Sequence, residues 1–238
     1  MKKVIKSIFK TLGYDLVKIG FSPTGYNLKS DLSRYIHSKR LKTVFDIGAN
    51  IGEFSLRYSE DFDSADIYSF EPVKSTFEKL KENTYLNSNI QCFNFGLGAK
   101  EEEIKLYHQV DSGLNSVNPN VNLPVKSNQN SHETIKLRTI DSFCLENNIS
   151  EIDFLKTDTE GLDIEVLKGG LNMINKGKVK AIFSEVGFHA DNSRNTSFYE
   201  LQQFLYSKNY KLRSFYDQSN FGDKPYMTCA NALFLLQS

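Results

Sequence analysis

The chain has 238 residues, with 29 basic and 29 acidic side chains, so its formal net charge is zero. Hydrophobic residues make up 39% and charged residues 24%, which leaves apolar mass for one sizeable core. The charge balance argues against a general polyanion binder, because affinity for a phosphate backbone needs an excess of Lys and Arg. The cysteines Cys92, Cys144 and Cys229 lie far apart without a C-x-x-C, which argues against a disulfide framework or thiolate zinc site. No apolar run approaches the roughly 18 residues that span a bilayer. Lys6 and Lys10 also interrupt any signal-like apolar region. A cytoplasmic protein is expected.

Residues 1–40 read as an N-terminal helical extension and residues 41–238 as one domain. In the extension, Val4, Ile5, Ile8, Phe9 and Leu12 fall on one helical face, away from Lys2, Lys3, Lys6 and Lys10. Such a helix caps the core or a partner subunit, or makes peripheral contact with an anionic membrane. Thr43–Ile47 then reads as a buried strand, with a glycine-bearing turn and a helix from about Glu53. Ile67–Phe70 is the next strand, Val73–Leu86 a helix and Ile90–Phe95 a third strand. Glu103–His108 and Thr134–Leu137 form an inserted hairpin around the polar segment Ser112–His132, expected to face an acceptor as a lid. A short helix follows at Ile140–Asn147, with Thr139 or Asp141 as its cap. Ile152–Thr157 is the fourth core strand, followed by a helix with Ile164, Leu167 and Leu171 on one stripe. Val179–Val186 is a strand and Phe198–Ser207 a helix. Tyr210–Tyr216 pairs with Ala230–Leu236 in a terminal antiparallel hairpin. Strands alternating with helices predict an α/β sheet covered on both faces, with ligands beyond the carboxyl ends of the strands.

The residues at those ends carry the chemistry. Asp46-Ile47-Gly48-Ala49-Asn50-Ile51-Gly52 is a strand end and turn suited to close approach of a ligand, or to tight strand–helix packing alone. Glu71 ends the second strand, where a carboxylate can accept from both hydroxyls of a ribose. The dinucleotide fingerprint and the P-loop are both absent. A ligand with a ribose but no pyrophosphate fits better, and S-adenosylmethionine is the common one. Asp158 and Glu160 follow the fourth strand. They are candidates to orient an acceptor, take its proton or bind a cation, or simply to cap the next helix. Glu185 ends the fifth parallel strand, and Asp158 with Glu185 could hold a divalent cation such as magnesium. His189 is a further candidate base.

The sequence resembles the FkbM-type family of S-adenosylmethionine-dependent methyltransferases. The resemblance rests on Asp46–Gly52, Phe70-Glu71-Pro72, Asn94-Phe95-Gly96-Leu97-Gly98, Arg138-Thr139-Ile140-Asp141, Lys156–Gly161 and Val166-Leu167-Lys168-Gly169. Asn231-Ala232-Leu233-Phe234 looks like the family's last strand. The resemblance implies a class I methyltransferase (Rossmann-like) three-layer sandwich with seven core strands, the last antiparallel. It implies methyl transfer, usually to a hydroxyl on a sugar, glycolipid or secondary metabolite; no nucleic-acid partner is expected, because the chain is charge-neutral and lacks an Asn-Pro-Pro-Tyr-like motif. It implies that Asp46, Gly48, Asn50, Gly52 and Glu71 hold the cofactor, with Asn94 and Gly96 near the adenine. Asp158 and Glu160 then lie near the transferable methyl. A non-catalytic nucleoside-binding protein with the same fold is the alternative, and a nicotinamide oxidoreductase is disfavoured by the glycine pattern.

Overall fold

The computed structural model describes residues 2–14, 16, 23–36, 41–107, 132–192, 194–220 and 225–237. In chain order its first half contains α1 (Lys2–Thr11), α2 (Leu28–Tyr35), β1 (Thr43–Ile47), α3 (Glu53–Asp61), β2 (Asp66–Phe70), α4 (Lys74–Thr84), β3 (Ile90–Phe93) and β4 (Gly96–Leu97). There follow β5 (Glu102–Tyr107), β6 (His132–Arg138), α5 (Ile140–Glu146), β7 (Ile152–Thr157), α6 (Asp163–Lys168) and α7 (Leu171–Asn175). The last elements are β8 (Val179–Gly187), β9 (Thr196–Ser197), α8 (Phe198–Tyr206), β10 (Tyr210–Ser219) and β11 (Cys229–Leu236). The expected lid segment lies outside the described residues, except that His132 opens β6.

The main sheet has the order β10-β11-β8-β7-β1-β2-β3, with β9 added to β8. The strands from β3 to β8 run parallel, and β11 is antiparallel to both of its neighbours. This is the expected arrangement, including the antiparallel last strand. The order reverses between β1 and β7, so a crevice opens where their following turns part.

Alternation with period two explains the three layers. Phe45, Leu155 and Ile182 point to one face, where they pack with Phe143, Leu167 and Leu201. Val44, Phe154 and Phe183 point to the other, with Leu32 and Tyr58. Within the expected extension, α2 is therefore part of the core. Its Asp31 is buried and accepts from the Tyr216 hydroxyl at 2.6 Å. By contrast, Val4, Ile5, Ile8, Phe9 and Leu12 of and beside α1 are exposed, so this helix does not cap the core.

The inserted hairpin forms as expected, with β5 antiparallel to β6. It also captures β4, so the predicted third strand stops at Phe93 and the chain switches sheets. The predicted helix after the fourth core strand breaks into α6 and α7. Gly169 packs against the Gly98 carbonyl so closely that a Cβ would stand 2.0 Å from its oxygen. Among the described residues, no helix is long and apolar enough to cross a membrane.

Candidate active site

The turn after β1 is built on backbone contacts. The Gly48 and Ala49 N–H groups both donate to the Phe70 carbonyl at 3.0 Å. Gly48 has φ +75°, and a Cβ there would lie 2.0 Å from the Asp158 carbonyl oxygen. Only glycine admits that left-handed conformation together with that contact. Gly52 serves packing: its would-be Cβ meets Leu80 and Thr84 of α4. It does not line the cavity described below.

Asp46 is fully buried and also stands away from that cavity. Its carboxylate accepts from the Ser55 hydroxyl at 2.6 Å and faces the Lys156 ammonium at 3.1 Å. Asp46 and Lys156 are register partners on the neighbouring parallel strands β1 and β7. Lys156 also donates to the Gly48 carbonyl at 3.1 Å, lies 3.5 Å from Asp158 and sits 4.8 Å from the Phe54 ring centre. Burial alone would push this ammonium down, but Asp46 and then Asp158 outweigh it and hold its pKa above the ordinary value. In this structure Asp46, expected to hold the cofactor, anchors Lys156, and Lys156 ties three strand-end groups together. Sequence reasoning missed Lys156. The available signal was a lone cation inside the apolar run Phe154–Thr157, at the same place before the strand end as Asp46.

Glu71 is buried at the end of β2 and faces the cavity. One carboxylate oxygen accepts from the Asn50 N–H at 3.0 Å and the other from the Val73 N–H at 2.9 Å. Burial pushes its pKa up, opposed by those two N–H groups. Asn94 does not reach the cavity. Its amide clasps the Glu71 and Pro72 carbonyls at 3.0 and 3.1 Å. Gly96 does line it, backed by Leu137.

Beyond β7, Asp158 and Glu160 both line the cavity. Glu160 has φ +51° and is gripped by Arg194, whose Nε and Nη2 donate to its two oxygens at 2.7 and 3.1 Å. Asp163 is buried, accepts from the Thr196 hydroxyl at 2.6 Å and has its pKa raised by burial. Glu185 accepts from the Asn195 amide. Its carboxyl is pushed up to about 7, first by burial and next by the Asp158 charge, with Arg194 opposing. His189 is exposed and outside the cavity, with Nε2 3.0 Å from the Met227 carbonyl oxygen and its ring against Tyr226.

The magnesium expectation finds no fitting donor set. Among the described residues, no group of three or more His, Cys, Asp or Glu side chains could hold a metal ion. Asp158 faces the Lys156 ammonium and Glu185 the Asn195 amide.

The cavity measures about 520 Å³, within the range of small-molecule sites. Its floor is Gly48, Asn50 and Glu71, and one flank is Asp158–Glu160. An apolar wall is formed by Val73 packed with Ile104, Leu106, Ile135 and Leu137 of the hairpin. The profile described as "Methyltransferase FkbM domain" matches residues 46–212. The chain belongs to the FkbM methyltransferase domain family.

This FkbM chain is 29% identical over 143 residues to Methyltransferase 1 of Beauveria bassiana (strain ARSEF 2860), covering 53% of this chain and 57% of that protein. It is 27% identical over 159 residues to Methyltransferase sdnD of Sordaria araneosa, covering 53% and 59%. It therefore spans less than two thirds of the length of these curated relatives. The solved METTL16 MTase domain matches with a TM-score of 0.52 and 12% identity, covering 98% of this chain and 77% of that one. At that identity the likeness is one of fold, the class I methyltransferase sandwich.

Proposed function

We propose that this FkbM chain is an S-adenosylmethionine-dependent methyltransferase acting on a hydroxyl of a sugar, glycolipid or secondary metabolite. The observation that carries the reading is Glu71. Each of its carboxylate oxygens accepts one backbone bond and keeps a second acceptor site. That capacity suits the two hydroxyls of a ribose standing in the cavity. Val73 and the apolar hairpin wall offer a surface for the adenine, and the Gly48–Asn50 turn faces the polar remainder. When bound, the cofactor supplies a methyl group already activated on a sulfonium. The chain then has two tasks, alignment and proton removal. Alignment is worth about 7–11 kcal/mol, and a placed base about 10²–10⁴-fold.

Asp158 is the best-placed base. It lines the cavity, and Lys156 fixes its direction. Glu160 is held by the two-pronged grip of Arg194, and His189 stands outside. Calorimetry should detect S-adenosylhomocysteine but not NAD, and Glu71→Ala should weaken that binding at least about tenfold, the loss of two hydrogen bonds. Asp158→Asn should keep the binding and lower methyl transfer from labelled cofactor to the accepted glycan by about 10²–10⁴-fold. Unchanged transfer would remove Asp158 from the mechanism, and binding of NAD in place of S-adenosylhomocysteine would remove the methyltransferase reading.

A further inference from the structure

We propose that α1 is a docking element for anionic lipid, a function separate from the catalytic reading and independent of it. At 100° per residue Val4, Ile5, Ile8 and Phe9, with Leu12 just beyond the helix end, span an arc of about 140°, and Lys3, Lys6 and Lys10 occupy an arc of about 60° on the other side. Among the described residues nothing covers the apolar face. Val4 is 61% exposed, Ile8 54%, Phe9 39% and Leu12 66%. A ten-residue helix has too little propensity of its own to hold such a face in water, since isolated helices below about 12–15 residues are marginal. It needs a surface that takes up apolar side chains.

Charge says which surface. Residues 2–11 carry Lys2, Lys3, Lys6 and Lys10 and no acid, a local charge of +4. The remaining chain has 25 basic against 29 acidic groups, so the body is net negative while this helix is positive. An anionic bilayer rewards both halves of the helix: the acyl boundary takes Ile5, Ile8 and Leu12, and the headgroups take the lysines. A second copy of the chain offers an apolar face but would bring the two lysine-bearing helices together. Tyr14, edge-on to Phe9 at 6.3 Å, adds an aromatic suited to the interface.

The chain contains no Trp, so Phe9→Trp places a single reporter on the exposed face. In the full chain its emission should shift to the blue with equimolar phosphatidylcholine–phosphatidylglycerol vesicles and stay unchanged with phosphatidylcholine alone. Co-sedimentation with Phe9 intact should weaken roughly fivefold for each of Lys3→Gln and Lys6→Gln at low salt, and should be lost in Ile5→Ser/Ile8→Ser. These side chains are exposed, so the fold of the body is unaffected. An equal shift on neutral vesicles, no shift on anionic ones, or a vesicle-free shift that grows with protein concentration would overturn the proposal. The last result would identify a second copy as the occupant.

Discussion

A lysine ammonium removed from water survives as a charge only when other groups solvate it. Lys156 has Asp46 at 3.1 Å, the Gly48 carbonyl at 3.1 Å and Asp158 at 3.5 Å. Removing it leaves Asp46 buried without its countercharge. Lys156→Met should therefore lower stability by about 3–5 kcal/mol in urea titration. Asp46→Asn/Lys156→Met deletes both charges together and should recover much of that loss. Equal loss in the single and double variants would show that packing, not the ion pair, sets the cost. The acids and glycines of this centre were legible because they interrupt apolar runs at strand ends, whereas Lys156 was passed over inside one. Their division of labour was not legible. Asp46 looks like Glu71 in the sequence, but one meets a lysine across the sheet and the other faces the cavity. That difference arises from strand order, which places β7 beside β1.

At the level of elements, two residues separated only by Ile140 cap two different helices. Thr139 caps α5, accepting from the Ser142 N–H at 3.0 Å. Asp141 accepts from the Asn172 and Met173 N–H groups at 2.9 and 3.0 Å and so closes the start of α7. A five-residue helix cannot stabilise itself, so α7 depends on this clamp. Asp141→Ala should cost about 1–2 kcal/mol, and Thr139→Ala about 1 kcal/mol. Amide exchange at Asn172 and Met173 should quicken only in the Asp141 variant. Exchange that rises equally in both would deny the clamp. The helices and strands themselves were legible from their periods of 3.6 and 2. The break at Gly169-Gly170 was not, because its cause is the Gly98 carbonyl on a distant turn. The recruitment of β4 by β6 was hidden for the same reason.

Across the whole molecule, the parallel strands bring Asp158, Glu160, Asp163 and Glu185 to one end, with Arg194 and Lys156 as the opposing charges. Glu185 bears the consequence, because its carboxyl is raised from 4.5 to about 7 by burial and then by Asp158. Between those two values the folded chain keeps a proton that the unfolded chain releases. Stability contributed by this group is therefore greatest below about pH 4.5, falls as pH rises to about 7 and levels off above it. The loss amounts to about 1–3 kcal/mol, from roughly 1.4 kcal/mol per unit discounted for its partial exposure. Glu185→Gln keeps the shape and the polar contact to Asn195 but cannot ionise. It should unfold with the parent chain near pH 4.5 and later than the parent at pH 8, as read by urea midpoints across that range. A Glu185→Gln curve parallel to the parent curve at every pH would mean that the carboxyl takes up its proton equally in the folded and unfolded chain, with Arg194 offsetting burial and Asp158 fully.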